Sequence, residues 1–486
     1  MSDLERIQGS IERLECTRTD LLRQLAELDK RLETERALYA QLRNQEVAIE
    51  RLPNELLSMV FGGAHASLRT NRSGRADLDA LRFLVDTSRV CVRWRQVVLH
   101  TPLLWNSIVM TVPPDFREHQ EPQEYLEAHL KRSGDAFLDM TFFAETENPL
   151  DLDLFFTIIG LHAKRWRRVS IEMRSATIPS IQPHFKYLEV PMLKHFSINI
   201  WETRDGRGPM SPRTAYPDPK PQVFLDGAPN LSVLRLANAA IGHLHPNSTS
   251  ITTLHLGGWE QAFFTWPQLK SLLESLPQLQ NLSLHELCVR HNTRDPTHEP
   301  APIHLPHLQN LRIHKPFTPV ERFLPLFTVP KLERLALNEV ENFDCTEIPS
   351  VTHLTMEGCP FDDPQFQNLI SAFPNVQDLT IDASAYLFFD SDALSATTPT
   401  YPWRFLKTLT MRELTPGDVV PFTLMVLKRK RAEHPIETLR LDKRSRNVLR
   451  LKEKLETLND HTKIVPFDER ELWPPGRGYD DPHDLV

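Results

Sequence analysis

Apolar residues recur every seven positions at the start of the chain. With positions 4, 11, 18, 25, 32, 39 and 46 as one column and 7, 14, 21, 28, 35, 42 and 49 as the other, the seam reads Leu4, Ile7, Ile11, Leu14, Leu21, Leu25, Leu28, Leu32, Tyr39, Leu42 and Ile49, interrupted by Arg18, Glu35 and Glu46. A stripe held at this period faces a partner only if the helix supercoils, which predicts a coiled-coil helix over residues 1–48. Its partner is a second copy, giving a homodimer, or another helix. The alternative is a single amphipathic helix lying on the domain that follows.

A different pattern begins at Leu52-Pro53-Asn54-Glu55-Leu56-Leu57-Ser58-Met59-Val60-Phe61-Gly62-Gly63. Pro53 suits the first position of a helix, Leu56, Leu57, Val60 and Phe61 follow at helical spacing, and Gly62 predicts its stop. After a polar insertion, Thr70 to Arg75, a second helical stretch carries Leu81, Phe83, Leu84, Val85, Val90, Cys91, Trp94, Val97 and Val98, followed by Pro102-Leu103-Leu104-Trp105.

From residue 137 to 445 the chain repeats P-x-Φ-x-x-Φ-x-Φ, where Φ is apolar. Clear cases are Pro191/Leu193/Phe196/Ile198, Pro229/Leu231/Leu234/Leu236, Pro277/Leu279/Leu282/Leu284, Pro306/Leu308/Leu311/Ile313 and Pro330/Leu332/Leu335/Leu337, continued at Pro349 and Pro374. Versions without proline begin at Trp166, Ile251, Leu406 and Ile436. The mean spacing of about 27 residues lies in the range of leucine-rich repeats, each a short strand followed by a helix or turn. Leu269, Leu272, Leu273 and Leu276, and Phe366, Leu369, Ile370 and Phe373, supply helical spacing between strands, and proline is expected to end each helix. Alternate strand positions then form a polar ladder on one face, either a solvated sheet face or a protein-binding surface for a substrate, on which Arg235, His255, Arg312, Arg334 and His353 are the candidate contact residues. The insertion Glu202 to Gln222 reads as mobile. Leu449, Leu451, Leu455 and Leu458 predict a C-terminal helix or cap over residues 446–472, and residues 473–486 read as a loose tail.

Composition narrows the function. With 39 prolines and only 16 glycines among 486 residues, tight glycine hairpins and glycine-rich phosphate loops are scarce. The net charge of −8 gives no global field for nucleic acid. Five cysteines, none in a C-x-x-C pair, read as reduced thiols. The charged N-terminus and the brevity of the longest apolar run, Leu154 to Leu161, predict neither a signal peptide nor a membrane span. No H-E-x-x-H, G-x-S-x-G or nucleotide-loop motif occurs, and His304 and His307 lack neighbouring ligands, so no metal, no cofactor and no enzyme activity are expected. Lys428-Arg429-Lys430-Arg431 is either a nuclear signal or a basic helix terminus complementing the dipole.

L-P-x-E-L-L-x-x-V-F, a helical spacer, V-C-x-x-W-R and a closing L-W together resemble an F-box, over residues 49–110. The spacer from Phe61 to Leu81 is longer and more polar than is usual in that family. The resemblance implies a three-helix module that docks on the Skp adaptor of a cullin-RING (SCF) ubiquitin ligase. Leu52, Pro53, Leu56, Leu57, Val60, Phe61, Val90, Trp94, Leu104 and Trp105 would carry the adaptor contact and the module's core, with Cys91 in the core. The repeats then resemble the degenerate leucine-rich repeats of fungal F-box proteins. The whole chain is expected to be α/β: an N-terminal coiled-coil helix, a three-helix F-box and a leucine-rich-repeat-like α/β solenoid. It would act in the cytoplasm or nucleus as a substrate receptor with a cullin as second partner, or alternatively as a scaffold without a ubiquitination role.

Overall fold

The structure, a computed structural model, describes residues 3–45, 47–69, 76–174, 178–201, 214–258, 262–290, 300–382, 403–467 and Trp473. The chain divides into two compact units, Met1–Trp105 and Asn106–Val486.

The first unit is helical. Its opening heptads form one helix, α1 (Asp3–Gln45), about 64 Å long at the α-helical rise. The seam residues from Leu4 to Leu42 are 48–76% exposed, whereas Ile49 sits on the 3-10 turn Ala48–Arg51 and packs on the core of the following helices. Glu46 and the insertion at 70–75 lie outside the described residues. In α2 (Asn54–Arg69) Pro53 stands just before the helix, and its carbonyl accepts the first helical bond from Leu57 N–H at 3.1 Å. Gly62 does not stop this helix. The helix continues through both glycines because Leu57, Phe61 and His65, one turn apart, keep burying the same face; that packing outweighs a cost of about 1 kcal/mol per glycine. The second helical stretch is two helices, α3 (Ala76–Val90) and α4 (Val92–Leu99). Extended backbone at Cys91 separates them, and the Cys91 sulfur caps α4 by accepting from Trp94 N–H at 3.4 Å. Leu57, Phe61, Leu84, Val97, Val98, Leu104 and Trp105 form the core of the unit.

The second unit is built on one parallel sheet with fourteen strands among the described residues, each lying beside the next in chain order. They are β1 (Ser107–Val112), β2 (Leu138–Ala144), β3 (Trp166–Arg174), β4 (His195–Trp201), β5 (Val233–Asn238), β6 (Thr253–Gly257) and β7 (Asn281–His285), then β8 (Asn310–His314), β9 (Arg334–Asn338), β10 (His353–Glu357), β11 (Asp378–Ile381), β12 (Thr408–Met411), β13 (Thr438–Leu441) and β14 (Lys463–Pro466). Every pairing is in parallel, so each connection must return the chain across one face. Helices do this at α5 (Gln120–Arg132), α6 (Pro149–Gly160), α7 (Ile178–Lys186), the single turn α8 (Ala240–His243), α9 (Trp266–Glu274), α10 (Asp363–Ala372), α11 (Val419–Arg431), α12 (Lys443–Leu451) and α13 (Leu455–Asn459). Among the described residues between β7 and β10, the 3-10 turns Val320–Arg322 and Leu324–Leu326 and two-residue strands such as Ile303–His304 and Phe327–Thr328 take the place of helices.

The apolar triplets of the repeat stack in register. Leu234 pairs beside Leu254, Leu254 beside Leu282, and Leu282 beside Leu311, and each triplet from Leu193 to Leu441 is at most 2% exposed. Helices stop two or three residues before Pro374 and Pro277, as expected, and the prolines have a further role. In six repeats proline is the second residue of a four-residue turn, closed when the first apolar N–H of the strand bonds back to the residue before proline. Leu279 bonds Leu276 at 3.1 Å, Leu308 bonds Leu305 at 3.3 Å, and the turns at Pro191, Pro229, Pro330 and Pro349 match them. Proline's fixed φ is already that of this turn position.

Each of several strands also leaves the sheet through a left-handed residue at one common level. Asn238, Glu286, Lys315 and Glu339 have φ of 56°, 48°, 44° and 50°, Gly358 has 63°, and Glu413 repeats the feature two strands on at 54°. Their N–H groups extend the ladder by one step, as when Lys315 donates to Asn338 O at 2.8 Å and Glu339 to Glu357 O at 2.8 Å. At the same level Gly258 bonds His285 O at 2.6 Å, and a Cβ there would collide with the Glu286 carbonyl.

The sheet extends past the predicted limits of 137 and 445 at both ends. β1 lies where residues 107–110 were assigned to the helical module: Ile108, Met110 and Val112 alternate into the core one residue out of the spacing that the turn at Pro102 would set, which falls on Ser107 and Val109. β14 lies inside the segment read as a helical cap, after α12 and α13. Of the tail read as loose, Trp473 is 7% exposed; residues 474–486 lie outside the described residues, as do 202–213 of the long insertion.

Candidate functional site

Two surfaces carry the residues singled out in the sequence. On α2, Leu57, Phe61 and His65 turn inward, which leaves Leu56, Met59, Val60 and Gly63 on the other face at i, i+3, i+4 and i+7. Leu56, Met59 and Val60 are 45%, 70% and 51% exposed, an apolar stripe that the unit's own packing does not use. The start of α4 is tied to the start of α2: Arg93 donates through Nη2 to the Leu52 carbonyl and through Nε to Asn54 Oδ1 at 3.0 Å. This holds the exposed Val90 and Val92, either side of Cys91, near the exposed Pro53.

The expected adaptor residues therefore divide. Pro53, Leu56, Val60 and Val90 are exposed, and Leu52 is half-buried against the core. Leu57, Phe61, Leu104 and Trp105 are buried and offer a partner no surface, correcting the expectation that they contribute to the contact. Phe61 packs on the half-buried Trp94 ring at 4.9 Å, and Trp105 Nε1 donates to Val98 O at 2.8 Å. Their role is to hold α2 against α4 and the turn Pro102–Leu104. The sequence pattern could not separate the two sets, since both are apolar and both recur at helical spacing. Met59 was missed, although its i+3 relation to Leu56 was the available signal; Val92 and Leu103 are further exposed apolar residues of the unit.

The second surface is the polar face of the sheet. Because Leu234 and Leu236 point into the core, Arg235 between them points to the opposite face, and register carries that row through His255, Ser283, Arg312 and Ala336. Arg334 and His353 face each other on β9 and β10 in the adjacent row. All five candidate residues thus share one face, but they are not equally available. His255 is buried, between Arg235 and Ser283 in its row, which corrects its place as a surface contact. Arg312 donates from Nε to Ser283 Oγ at 2.8 Å, and its guanidinium lies 5.3 Å from the Trp473 ring centre. Arg334 and His353 are half-buried.

Electrostatics differ along this face. Around Arg235, His285, Arg312, His314 and Lys315 positive groups gather, and burial, followed by His314, Arg312, Arg235 and Lys315, pushes the His285 imidazole down to about 4. Burial also lowers His314, which stacks edge-on against His285 at 4.4 Å, with Glu339 opposing the shift. Toward β12 the acidic residues have cationic partners: Glu357 meets Arg412 at 3.0 Å and Asp378 meets Arg440 at 3.7 Å.

Among the described residues no group of three or more His, Cys, Asp or Glu could hold a metal ion, all five cysteines are free thiols, and no helix is long and apolar enough to cross a membrane. The basic run Lys428–Arg431 forms the last turn of α11, with Arg429 buried and donating to Trp403 O at 2.8 Å. What the arrangement can do is bind: an apolar helix face in one unit, a graded polar sheet face in the other. No curated protein matches the chain. Residues 49–111, which span α2 to α4 and the Trp105 anchor, match the model of the F-box-like family.

Proposed function

We propose that the chain is the substrate-recognition subunit of an SCF-type (cullin-RING) ubiquitin ligase. The observation that carries this reading is the stripe Leu56, Met59 and Val60, left exposed on α2 within the segment that matches the F-box-like family. Completing the burial of three side chains that are already 30–55% covered would contribute on the order of 1 kcal/mol each against a Skp-type adaptor, and would make the stripe the centre of the contact. Pro53, Val90 and Val92 would border it. The parallel sheet is read as a degenerate leucine-rich-repeat solenoid whose polar face takes a protein substrate, through Arg334 and His353 first and through Arg312 once Trp473 is displaced. The chain itself performs no catalysis on this reading, ubiquitin transfer belonging to its partners in the cytoplasm or nucleus. Self-association through α1 would make the assembly dimeric.

Co-purification tests the proposal. Intact protein expressed with epitope tag brings down both a Skp adaptor and a cullin if the reading holds. Recovery of neither would overturn it, and recovery of the adaptor without a cullin would replace the receptor role with that of a scaffold.

A further inference from the structure

The seam of α1 contains two charged residues, and they determine how it can pair. Arg18 and Glu35 are exposed in the same stripe as Leu4, Ile7, Ile11, Leu14, Leu21, Leu25, Leu28, Leu32, Tyr39 and Leu42. A second copy in parallel and in register would set each residue against itself: Arg18 against Arg18, and Glu35 against Glu35. Arg31 would also flank Arg36 of the second copy, the spacing at which neighbouring edge positions of parallel helices meet. Both seam layers would then hold like charges in a partly desolvated interface, where they cost most.

Reversing the second helix removes these conflicts. In antiparallel pairing one seam column packs on the other, and a midpoint between Leu25 and Leu28 sets Leu25 beside Leu28, Leu21 beside Leu32, Leu14 beside Tyr39 and Ile11 beside Leu42. The same reflection sets Arg18 beside Glu35 of the second copy, twice by symmetry. At the edge of the seam Glu15 comes next to Arg36 of the second copy. Every described seam residue from Ile11 to Leu42 thereby acquires an apolar or oppositely charged partner from one operation.

We propose that two copies of this chain associate through α1 as an antiparallel coiled coil centred between Leu25 and Leu28 and locked by two Arg18–Glu35 pairs. This rests on the reading that α1 self-associates and adds its direction and register. One consequence is that the C-terminal ends of the two α1 helices lie on the order of 55 Å apart, so the segments that follow them emerge at opposite ends of the coil.

Sedimentation equilibrium on the full chain tests it. The wild-type protein is expected to dimerise, Arg18→Glu and Glu35→Arg each to raise the dissociation constant about tenfold or more, and the double variant to return close to the wild-type value. In a parallel dimer the double variant would still set each charge against itself, so the rescue belongs to the antiparallel register. Four equally strong dimers, or weakened single variants without rescue, would overturn the register while leaving self-association intact. A monomer at all concentrations up to about 100 µM would overturn both. Disulfide trapping in a Cys16→Ser background gives an independent readout: mixed Arg18→Cys and Glu35→Cys chains should cross-link to each other, and self-linking of Arg18→Cys alone would contradict the proposal.

Discussion

At the scale of single residues, the level at which strands leave the sheet is the most demanding position in the second unit. Glu286, Lys315, Glu339 and Glu413 hold a left-handed backbone that costs an L-residue about 1–2 kcal/mol. Gly358 adopts it without that cost. Gly358→Ala should therefore lower the unfolding free energy by about 1 kcal/mol, whereas Glu339→Gly should be close to neutral despite the added chain entropy; chemical denaturation of the two variants checks this. None of this level was legible in the sequence, because charged residues and asparagine occupy it in place of a run of glycines. His285 makes a second prediction. Its imidazole titrates near 4 in the folded protein against an ordinary value of 6.5, so the unfolded chain takes up a proton first as the pH falls. Stability is lost between about pH 6.5 and 4, and no further loss comes from this group below both values. His285→Gln should make the decline of melting temperature over that window shallower. His129, His162, His243, His245 and His314 shift in the same direction and will keep part of the slope.

At the scale of elements, the repeat was legible where its apolar triplet is wholly buried, from Leu193 to Leu441, since a position with no solvent contact leaves little choice of residue type. It was illegible at the ends. β1 is offset by one residue from the spacing that its preceding turn at Pro102 would set, and β14 is a short edge strand with its residues partly or fully exposed. Helix α2 shows a different limit: apolar residues cover both its inner face at Leu57 and Phe61 and its outer face at Leu56 and Val60, and periodicity alone does not say which is which. The C-terminal tryptophan was also misread, as part of a loose tail, because a single aromatic residue in a proline-rich segment carries no periodic signal. Its contact with Arg312 is open to a double-mutant cycle. Arg312→Ala and Trp473→Ala should show a coupling of about 0.5–2 kcal/mol, the range of a cation–π pair, when unfolding is followed for the two single variants and the double. Strict additivity would mean that the ring does not depend on this guanidinium.

At the scale of the whole molecule, two units divide the work: helices that present an unused apolar stripe, and a long parallel sheet that presents a graded polar face. Each face exists because the opposite one is committed to a core, Leu57 and Phe61 in the first unit and the leucine triplets in the second. The central claim is that the stripe on α2 is a docking site for a Skp-type adaptor. Titration calorimetry of the purified full chain with the adaptor tests it most directly, comparing the wild type with Leu56→Glu/Val60→Glu, whose substituted side chains lie outside the core and whose thermal unfolding should match the wild type. Binding is expected to weaken at least a hundredfold, from the loss of two buried apolar contacts and the addition of two unpaired charges. Unchanged affinity in a folded double variant would contradict the account.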